Sequence, residues 1–326
     1  MKLKFLHKNI FEPQYKDNYL TVVNLTKRYK RNAVPTINNI NFTVKKGEFH
    51  AFIGGNGAGK TTTIKSIVGA YVKYTGSIYF SGYINTSLEA KRTLGYIPEI
   101  ARFPESTSTY SYLMSMAQLS EIPRSEAKKV VDKILVDLNM QKLAKKSPNS
   151  FSSGQKKKIL LAQALIHDPK ILIMDEPAAN LDPKSRIEFF DTLKKLQLQG
   201  KSIFISSHIL NEIDKYATHA TILDGGKIVF SKKLGDYRKN SSRTIKIKVD
   251  NNQLCEKVLK QKNIPFSFNE NENYFLLNFD KKLDTNQLLN DLVKNNVVVN
   301  SFQKDISSLE QIYYDYVIKG SVHTMN

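Results

Sequence analysis

The segment Gly54-Gly55-Asn56-Gly57-Ala58-Gly59-Lys60-Thr61 matches the pattern G-x-x-x-x-G-K-[ST] at every fixed position. The apolar run Phe49–Ile53 precedes it, and residues 61–67 follow with the composition of a helix start. A strand, a glycine loop and a helix N-terminus form an anion site, because backbone N–H groups point inward and the helix dipole adds positive potential. Lys60 is expected to reach the β- and γ-phosphates, and Thr61 to ligate Mg²⁺. The segment predicts binding of a nucleoside triphosphate.

The composition is that of an ordinary globular chain. Its 326 residues are 41% hydrophobic and 24% charged, which allows two or so domains and a sizeable core. No apolar run approaches the ~18 residues of a membrane span, and the first residues lack the apolar segment of a secretory signal. The single cysteine, Cys255, excludes an intrachain disulfide framework and favours a reducing compartment.

The positive charge is concentrated in the part of the chain that holds the glycine loop. Of the formal +19, residues 233–326 contribute +3, with 14 Lys+Arg and 11 Asp+Glu, so +16 falls on residues 1–232. Such an excess is typical of attraction to lipid headgroups or nucleic acid. It is also typical of a lysine-rich solvated surface, which the abundance of Lys, Asn and Ile favours.

Short apolar runs predict an α/β chain. Strands are expected at 19–25, 40–44, 49–53, 77–80, 93–97, 171–174 and 203–205. A hairpin is expected at 221–230. Asp182-Pro183 predicts a helix start, with Asp as N-cap and Pro at the first helical position. Ile187, Phe190 and Leu193 are expected to face one way along that helix.

Residues 105–145 interrupt the α/β pattern with helical periodicity. Apolar residues recur there at spacings of three and four, at Ala127, Val130, Val131, Ile134, Leu135 and Leu138. We therefore predict a helical insertion, which makes residues of about 100–160 a helical subdomain.

Three segments are predicted along the chain. Residues 1–18 form an extension, held on the body by Phe5, Ile10 and Phe11, and residues 19–232 form the nucleotide-binding domain. Residues 233–326 form a small α+β accessory domain. Its expected elements are strands at 244–249, 273–279 and 297–299, a helix at 285–294, and a final helix opened by a capping box at Ser307-Ser308-Leu309-Glu310 and continuing through Val317.

Acidic and polar residues follow the predicted strands. In Met174-Asp175-Glu176-Pro177, Asp175 is suited to bind Mg²⁺ and Glu176 to polarise an attacking water. Pro98-Glu99 ends an earlier strand, and Ser206-Ser207-His208 ends a later one. A lone histidine is usually structural. His208, however, follows a strand that should neighbour the loop strand, which places it near the γ-phosphate.

With the segment Phe151-Ser152-Ser153-Gly154-Gln155, these motifs make residues 19–232 resemble the nucleotide-binding subunit of ABC (ATP-binding cassette) transporters. The resemblance implies a P-loop NTPase cassette that binds ATP and Mg²⁺, with Thr61, Glu99 and Asp175 at the metal. It also implies catalytic roles for Lys60, Glu176 and His208. The residues implied to contact ATP are Tyr29, which stacks on adenine, Gly54, Asn56, Gly57, Ala58, Gly59, Lys60, Thr61 and Thr62 within one subunit, and Ser152, Gly154 and Gln155 from a second one.

The chain departs from the family pattern at a few positions. Gly55 occupies a position at which the family usually has proline. The segment Phe151–Gln155 resembles the family's signature, L-S-G-G-Q, with Phe151 in place of Leu and Ser153 in place of the first Gly. Glu99 occupies a position at which the family has glutamine. A carboxylate at position 99 can still ligate Mg²⁺ or water, but it adds negative charge to the site. Lys156-Lys157-Lys158, after the signature, is expected to form a solvated helix face.

The resemblance implies an ATP-hydrolysing subunit at the cytoplasmic face of the cell membrane. It implies an ATP-dependent head-to-tail homodimer and a separate transmembrane permease subunit, without a specific nucleic acid. The accessory domain resembles tails of exporter ATPases, and together with Glu99 it favours export. A soluble ABC ATPase acting on ribosomes or DNA is the main alternative, supported by the charge but not by the single loop motif. A P-loop kinase or GTPase would not need the signature or His208, and a non-hydrolysing binding module would not need Glu176.

Overall fold

The computed structural model describes residues 11–30, 34–241, 244–270, 272–278, 284–304 and 308–319. They divide into two compact units, of which the second comprises Lys233–Asp315. The first holds the residues up to Lys232 and again those from Tyr316 onward. The predicted accessory domain therefore ends too late, because the Tyr316 ring packs edge-on against Phe230 of the first unit, with ring centroids 5.1 Å apart.

The first unit contains ten strands and seven α-helices among its described residues. The strands are β1 (Asn18–Lys27), β2 (Ile37–Lys45), β3 (Phe49–Ile53), β4 (Thr75–Phe80), β5 (Tyr83–Ile84), β6 (Leu94–Ile97), β7 (Ile171–Met174), β8 (Ser202–Ser207), β9 (His219–Asp224) and β10 (Lys227–Lys233). The helices are α1 (Lys60–Ile67), α2 (Leu88–Thr93), α3 (Thr109–Leu119), α4 (Arg124–Asp137), α5 (Ser153–Leu165), α6 (Pro183–Leu198) and α7 (Leu210–Ile213).

The sheet that positions the site has the strand order β10-β9-β3-β8-β7-β6. Its central strands β3, β7 and β8 are buried at every position and mostly apolar, as expected when helices cover a parallel sheet. β3 and β8 pair in parallel with Ile53 opposite Ser207, which confirms that the strand before His208 neighbours the loop strand. The carboxyl ends of β3, β7 and β8 therefore meet at one edge, where the glycine loop also begins.

A second sheet, of order β2-β1-β4-β5, packs its apolar face on the same core. Phe11 lies on its edge, with its ring centroid 4.8 Å from that of Tyr83, which confirms the predicted contact of Phe11 with the body. A side chain at Gly82 would clash with this ring, because a Cβ there would lie 2.7 Å from Phe11 Cε2. The other predicted contacts, Phe5 and Ile10, lie outside the described residues.

The predicted helical insertion is present as α3 and α4, with the N-terminal cap of α3 at Ser108. The apolar stripe of α4 is buried at Ala127, Val131, Ile134 and Leu135.

The prediction for α6 was wrong at Ile187, which is 58% exposed, whereas Phe189 is buried with Phe190 and Leu193. Three residues fall about 60° short of a full helical turn, so two such steps rotate Ile187 about 120° from Leu193. Phe189 is four residues from Leu193 and lies only about 40° away from it. The N-cap at Asp182 was predicted correctly, since its carboxylate accepts a hydrogen bond from the Ser185 N–H.

The second unit is built around one antiparallel four-stranded sheet of order β12-β13-β11-β14. Its described elements, together with the final α-helix, are α8 (Leu234–Ser241), β11 (Thr244–Val249), α9 (Asn252–Gln261), β12 (Phe266–Asn269), β13 (Tyr274–Asn278), α10 (Thr285–Lys294), β14 (Val299–Lys304) and α11 (Leu309–Tyr313). The βαββαβ succession and this strand order are those of a split βαβ, or ferredoxin-like, unit.

Several predictions for this unit need correction. α9 and β12 were not predicted, and the strand expected at 297–299 begins only at Val299. Asn296 has a positive φ of 59°, so the chain still turns there before it can extend. The N-cap of α11 is Ser308, whose hydroxyl accepts from the Gln311 N–H, instead of a box from Ser307, which lies outside the described residues.

Candidate functional site

The loop between β3 and α1 has a backbone path that only glycine allows at two positions. A Cβ on Gly54 would lie 2.5 Å from the Leu223 carbonyl oxygen. Gly59 has φ +109°, and a Cβ there would lie 2.7 Å from Ile37 Cγ2. α1 begins at Lys60, directly after Gly59. The loop N–H groups and the helix N-terminus thus converge on one spot, which is the arrangement that binds phosphate.

Lys60 is buried beside this loop. Its Nζ donates to the carbonyl oxygens of Gly54 at 2.7 Å and Gly55 at 3.2 Å, and it lies 3.5 Å from Glu176 Oε1. The ammonium is therefore held by the loop backbone and faces one carboxylate. This position lets it exchange those partners for phosphate oxygens over a short distance.

Asp175 ends β7 and is only 1% exposed. Its Oδ1 accepts hydrogen bonds from Ser206 Oγ at 2.9 Å and Thr61 Oγ1 at 3.3 Å. Burial raises the pKa of Asp175, and so do the charges of Glu99 and Glu176, while the two hydroxyls oppose the shift. A buried carboxylate among hydroxyl and carboxylate oxygens is a donor set that fits Mg²⁺ and would gain from its charge. Thr61, Asp175 and Glu99 could hold the metal.

Glu176 joins three other groups of the site. Its φ of +44° is rare for a residue with a side chain, and its N–H donates to Ser206 Oγ at 2.8 Å. Its two oxygens divide between Lys60 and His208, whose Nδ1 lies 2.8 Å from Oε2. A strained backbone at this point is typical of functional sites, where it aims a side chain that a relaxed chain would turn away.

The cleft formed by these residues has a volume of about 320 Å³. Its lining residues are Thr36, Gly55, Asn56, Gly57, Gly59, Lys60, Thr61, Thr62, Glu99, Glu176, Ala179 and His208. The structure thus brings together the predicted loop, acidic and histidine residues, and it adds Thr36 and Ala179. Of the predicted contacts, Gly54 and Ala58 shape the loop from behind, and Asp175 lies beneath Thr61.

The signature residues Ser152, Gly154 and Gln155 do not line this cleft. Ser152 is the exposed N-cap of α5, where it and Gln155 form a reciprocal capping box with bonds of 3.3 and 3.2 Å. Gly154 is buried, and a Cβ there would lie 3.0 Å from Ser185 Oγ. Gln155 therefore has a structural role within its own helix, while Ser152 and the helix N-terminus are presented outward.

Tyr29 lies beside the first turn of α1, directly after the glycine loop. Its hydroxyl is 3.0 Å from Thr62 Oγ1, and its ring meets that of Tyr71 edge-on with centroids 6.0 Å apart. Lys27 Nζ lies over both rings, at 5.4 and 5.2 Å from their centroids. The exposed Tyr29 ring is placed where it could stack on a base. Tyr71 was not singled out from the sequence, because nothing in the loop pattern points to it.

The lysine run on α5 differs from its prediction as a solvated face. Lys157 is 4% exposed, and its Nζ donates to the carbonyl oxygens of Pro98, at 3.0 Å, and Glu99. Burial lowers the pKa of Lys157 to about 8, and the charges of Glu99 and Asp175 oppose that shift. Lys158 is partly exposed and pairs with Glu188 at 3.2 Å. The prediction was therefore wrong for Lys157.

A glycine loop between a buried strand and a helix, with an aspartate at the carboxyl end of another strand of the same parallel sheet, defines a P-loop NTPase. A family model described as ABC transporter matches residues 37–179. A protein of Mycoplasma pneumoniae described as an ABC transporter ATP-binding protein is 38% identical over 282 residues, which cover 86% of each chain. The linearmycin resistance ATP-binding protein LnrL of Bacillus subtilis is 34% identical, over 64% of this chain and 68% of LnrL.

Among solved structures, the ATP-binding subunit of an ABC transporter matches with a TM-score of 0.61 and 29% identity. The match covers 68% of this chain and 92% of that one. The chain belongs to the ABC transporter ATP-binding proteins, and it is an ATP-binding cassette ATPase. This confirms the predicted family and the predicted P-loop NTPase cassette.

The charge of Glu99 is expected to set the Mg²⁺ requirement of ATPase activity. In Glu99→Gln we expect most of the activity to remain, with roughly five- to thirtyfold more Mg²⁺ needed for the half-maximal rate, because a carboxylate near a cation is worth about 1–2 kcal/mol. Glu99→Ala, which also loses the ligand, should turn over more slowly. The measurement is ATPase rate against Mg²⁺ concentration, with Glu105→Gln in the same loop region as control. Superimposable curves for all four proteins would exclude Glu99 from the metal site.

Proposed function

We propose that this chain is the ATP-hydrolysing subunit of an exporter, acting as a homodimer on a separate transmembrane permease subunit at the cytoplasmic face of the cell membrane. One observation carries the proposal. The cleft contains the phosphate loop, the acidic residues and His208, but the signature residue Ser152 is exposed elsewhere on the same chain. A site that needs both parts is complete only when a second copy supplies the signature.

Within one cleft, each polar group has a proposed task. Lys60 exchanges the carbonyls of Gly54 and Gly55 for β- and γ-phosphate oxygens. Glu176 orients the attacking water, and His208, 2.8 Å from the Glu176 carboxylate, holds that carboxylate and the γ-phosphate in place. Mg²⁺, when bound, supplies positive charge against the phosphate oxygens. Tyr29 stacks on adenine.

The second copy contributes the N-terminus of α5. Ser152 Oγ and the Gly154 N–H lie at the start of a 13-residue helix, whose dipole favours an anion at that end. A head-to-tail dimer brings this helix end to the γ-phosphate bound by the partner, and the same contact repeats at the second site. Such an arrangement is closed by a twofold axis and encloses two ATP molecules.

The helical insertion offers a surface for the permease. In the part of the chain that the structure describes, no helix is long and apolar enough to cross a membrane. A groove of about 200 Å³ runs between α2 and the end of α3, with the exposed Leu88 and Leu119 among its walls and the Arg92–Glu121 ion pair beside them. An exposed apolar groove rimmed by charges suits a protein partner. Export is supported by the relative named for linearmycin resistance.

Co-purification from detergent extracts tests this function. Leu119→Glu should reduce the recovery of an attached membrane protein at least tenfold, because a charge replaces a side chain that is 76% exposed in the groove. The control, Leu198→Glu, changes a leucine of 73% exposure on α6 and should retain the partner. If ribosomal proteins and RNA co-purify in place of a membrane protein, the alternative of a soluble ABC ATPase acting on ribosomes, which the +16 on residues 1–232 favours, is correct.

A further inference from the structure

Helix α5 carries two functional groups that face opposite ways. At its N-terminus, Ser152 is exposed as the N-cap. Just over one turn later, Lys157 points into the protein, and its ammonium donates to the backbone oxygens of Pro98 and Glu99. Those two residues follow β6, and the Glu99 side chain lines the ATP cleft. One lysine therefore joins the signature helix to the loop at the metal site of the same chain.

The far end of α5 is fixed to the same strand. A Cβ on Gly95 of β6 would lie 2.6 Å from the Ala164 carbonyl oxygen, so the helix and strand backbones approach closely there. His167, just after the helix, lies with Nε2 2.9 Å from the Leu94 carbonyl oxygen. α5 is thus attached to β6 at its C-terminal end and to the loop after β6 near its N-terminal end. The contact of the Glu99 loop with α5 through Lys157 is therefore nearest to the signature end of the helix.

Stability alone does not account for an ammonium at this place. Removing a charge from water is costly, and an apolar residue of similar size is often equally stable or more so. The Pro98 and Glu99 carbonyls lie in a partly exposed loop, where water can replace the lysine as donor. What an apolar residue cannot supply is the directed link between helix and loop.

We propose that Lys157 is a positioning residue that couples the two ATP sites of the dimer. It transmits the position of the Glu99 loop, set by Mg²⁺ and ATP in its own cleft, to the signature end of α5, which completes the cleft of the second copy. The inference rests on the composite dimer site of the proposed function. The consequence is that Mg²⁺ in the cleft of one chain affects how well the signature end of that chain completes the cleft of the second copy.

The test measures dimerisation in the Glu176→Gln background, where ATP is bound but not consumed. Light scattering gives the dimer dissociation constant with ATP plus Mg²⁺ and with ATP plus EDTA. In the parent we expect the two constants to differ about fivefold or more, within the usual range of coupling between sites. Lys157→Met should bring their ratio close to one. Lys156→Met, the same charge change one position earlier on α5, should leave the ratio as in the parent, and Lys157→Arg should restore part of it.

A second readout separates coupling from damage to the chain's own cleft. Binding of a fluorescent ATP analogue to the monomer, at protein concentrations below dimerisation, should be unchanged by Lys157→Met. An unchanged Mg²⁺ ratio in Lys157→Met, or a loss of monomer binding that matches the loss of dimer, overturns the proposal. If the parent does not dimerise with ATP at all, the proposed function fails together with the proposal for Lys157. Should the Met variant not fold, Lys157→Gln takes its place, and the same ratio decides.

Discussion

Replacing Lys60 by alanine is expected to abolish ATP turnover and to weaken ATP binding by about 10- to 100-fold or more. The ammonium is the buried cation of the cleft, within 3.5 Å of Glu176 and bonded to two loop carbonyls. Its bonds to phosphate oxygens would be charge-assisted, at roughly 1.5–3 kcal/mol each. Binding is measured with a fluorescent ATP analogue and turnover by phosphate release.

The matched control for this variant is Lys65→Ala. Lys65 lies on the same helix, α1, with its Nζ 5.8 Å from the centroid of the Tyr71 ring, and it does not line the cleft. It should retain turnover close to that of the unmodified protein. If the Lys60→Ala protein hydrolysed ATP at the rate of the unsubstituted protein, the role proposed for the phosphate loop in hydrolysis would be wrong.

Glu176→Gln is expected to bind ATP, to lose hydrolysis by about 10²- to 10⁴-fold, and to accumulate as a dimer. The amide keeps the size of the side chain but cannot take the charge that orients and polarises the water. In the proposed cycle hydrolysis opens the closed dimer, so a variant that cannot hydrolyse ATP should remain closed. Light scattering with and without ATP measures the dimer.

Adding Ser152→Arg to this variant should abolish the dimer. Ser152 is the exposed N-cap of α5. In the proposed dimer it faces the partner's γ-phosphate, so a long side chain there would occupy the space of that phosphate. Ser115→Arg, on the exposed face of α3, adds the same side chain to the helical insertion and should leave the dimer intact. A Glu176→Gln protein that stays monomeric at high concentration with ATP would contradict the composite site.

The parts of the site that could be predicted are those whose residues are adjacent in the chain. The loop 54–61 could be interpreted because glycine backbone freedom and the succession of strand, loop and helix are local properties. The same holds for Asp175 and Glu176 after an apolar run, and for the N-cap at Asp182. The adjacency of β3 and β8 was also predicted, and it is present in the structure.

The failures concern residues whose surroundings come from distant parts of the chain. The lysine run after the signature has the composition of a solvated face, but Lys157 meets Pro98, 59 positions away. Ile187 fitted a spacing of three, yet the core contacts α6 on the side of Phe189. In the second unit, β12 alternates aromatic and polar residues, but only over the four residues Phe266–Asn269, which is the shortest run that indicates a strand.

By itself, the sequence determined the class of the protein, the phosphate loop and the identity of the acidic residues, because each depends on contiguous residues and their intrinsic geometry. Only the tertiary structure decided that Glu176 bridges Lys60 and His208, and that Lys157 ties α5 to the Glu99 loop. These relations arise where parallel strands bring their ends together and a helix is fixed against them. They depend on three-dimensional packing between segments that are far apart in the chain.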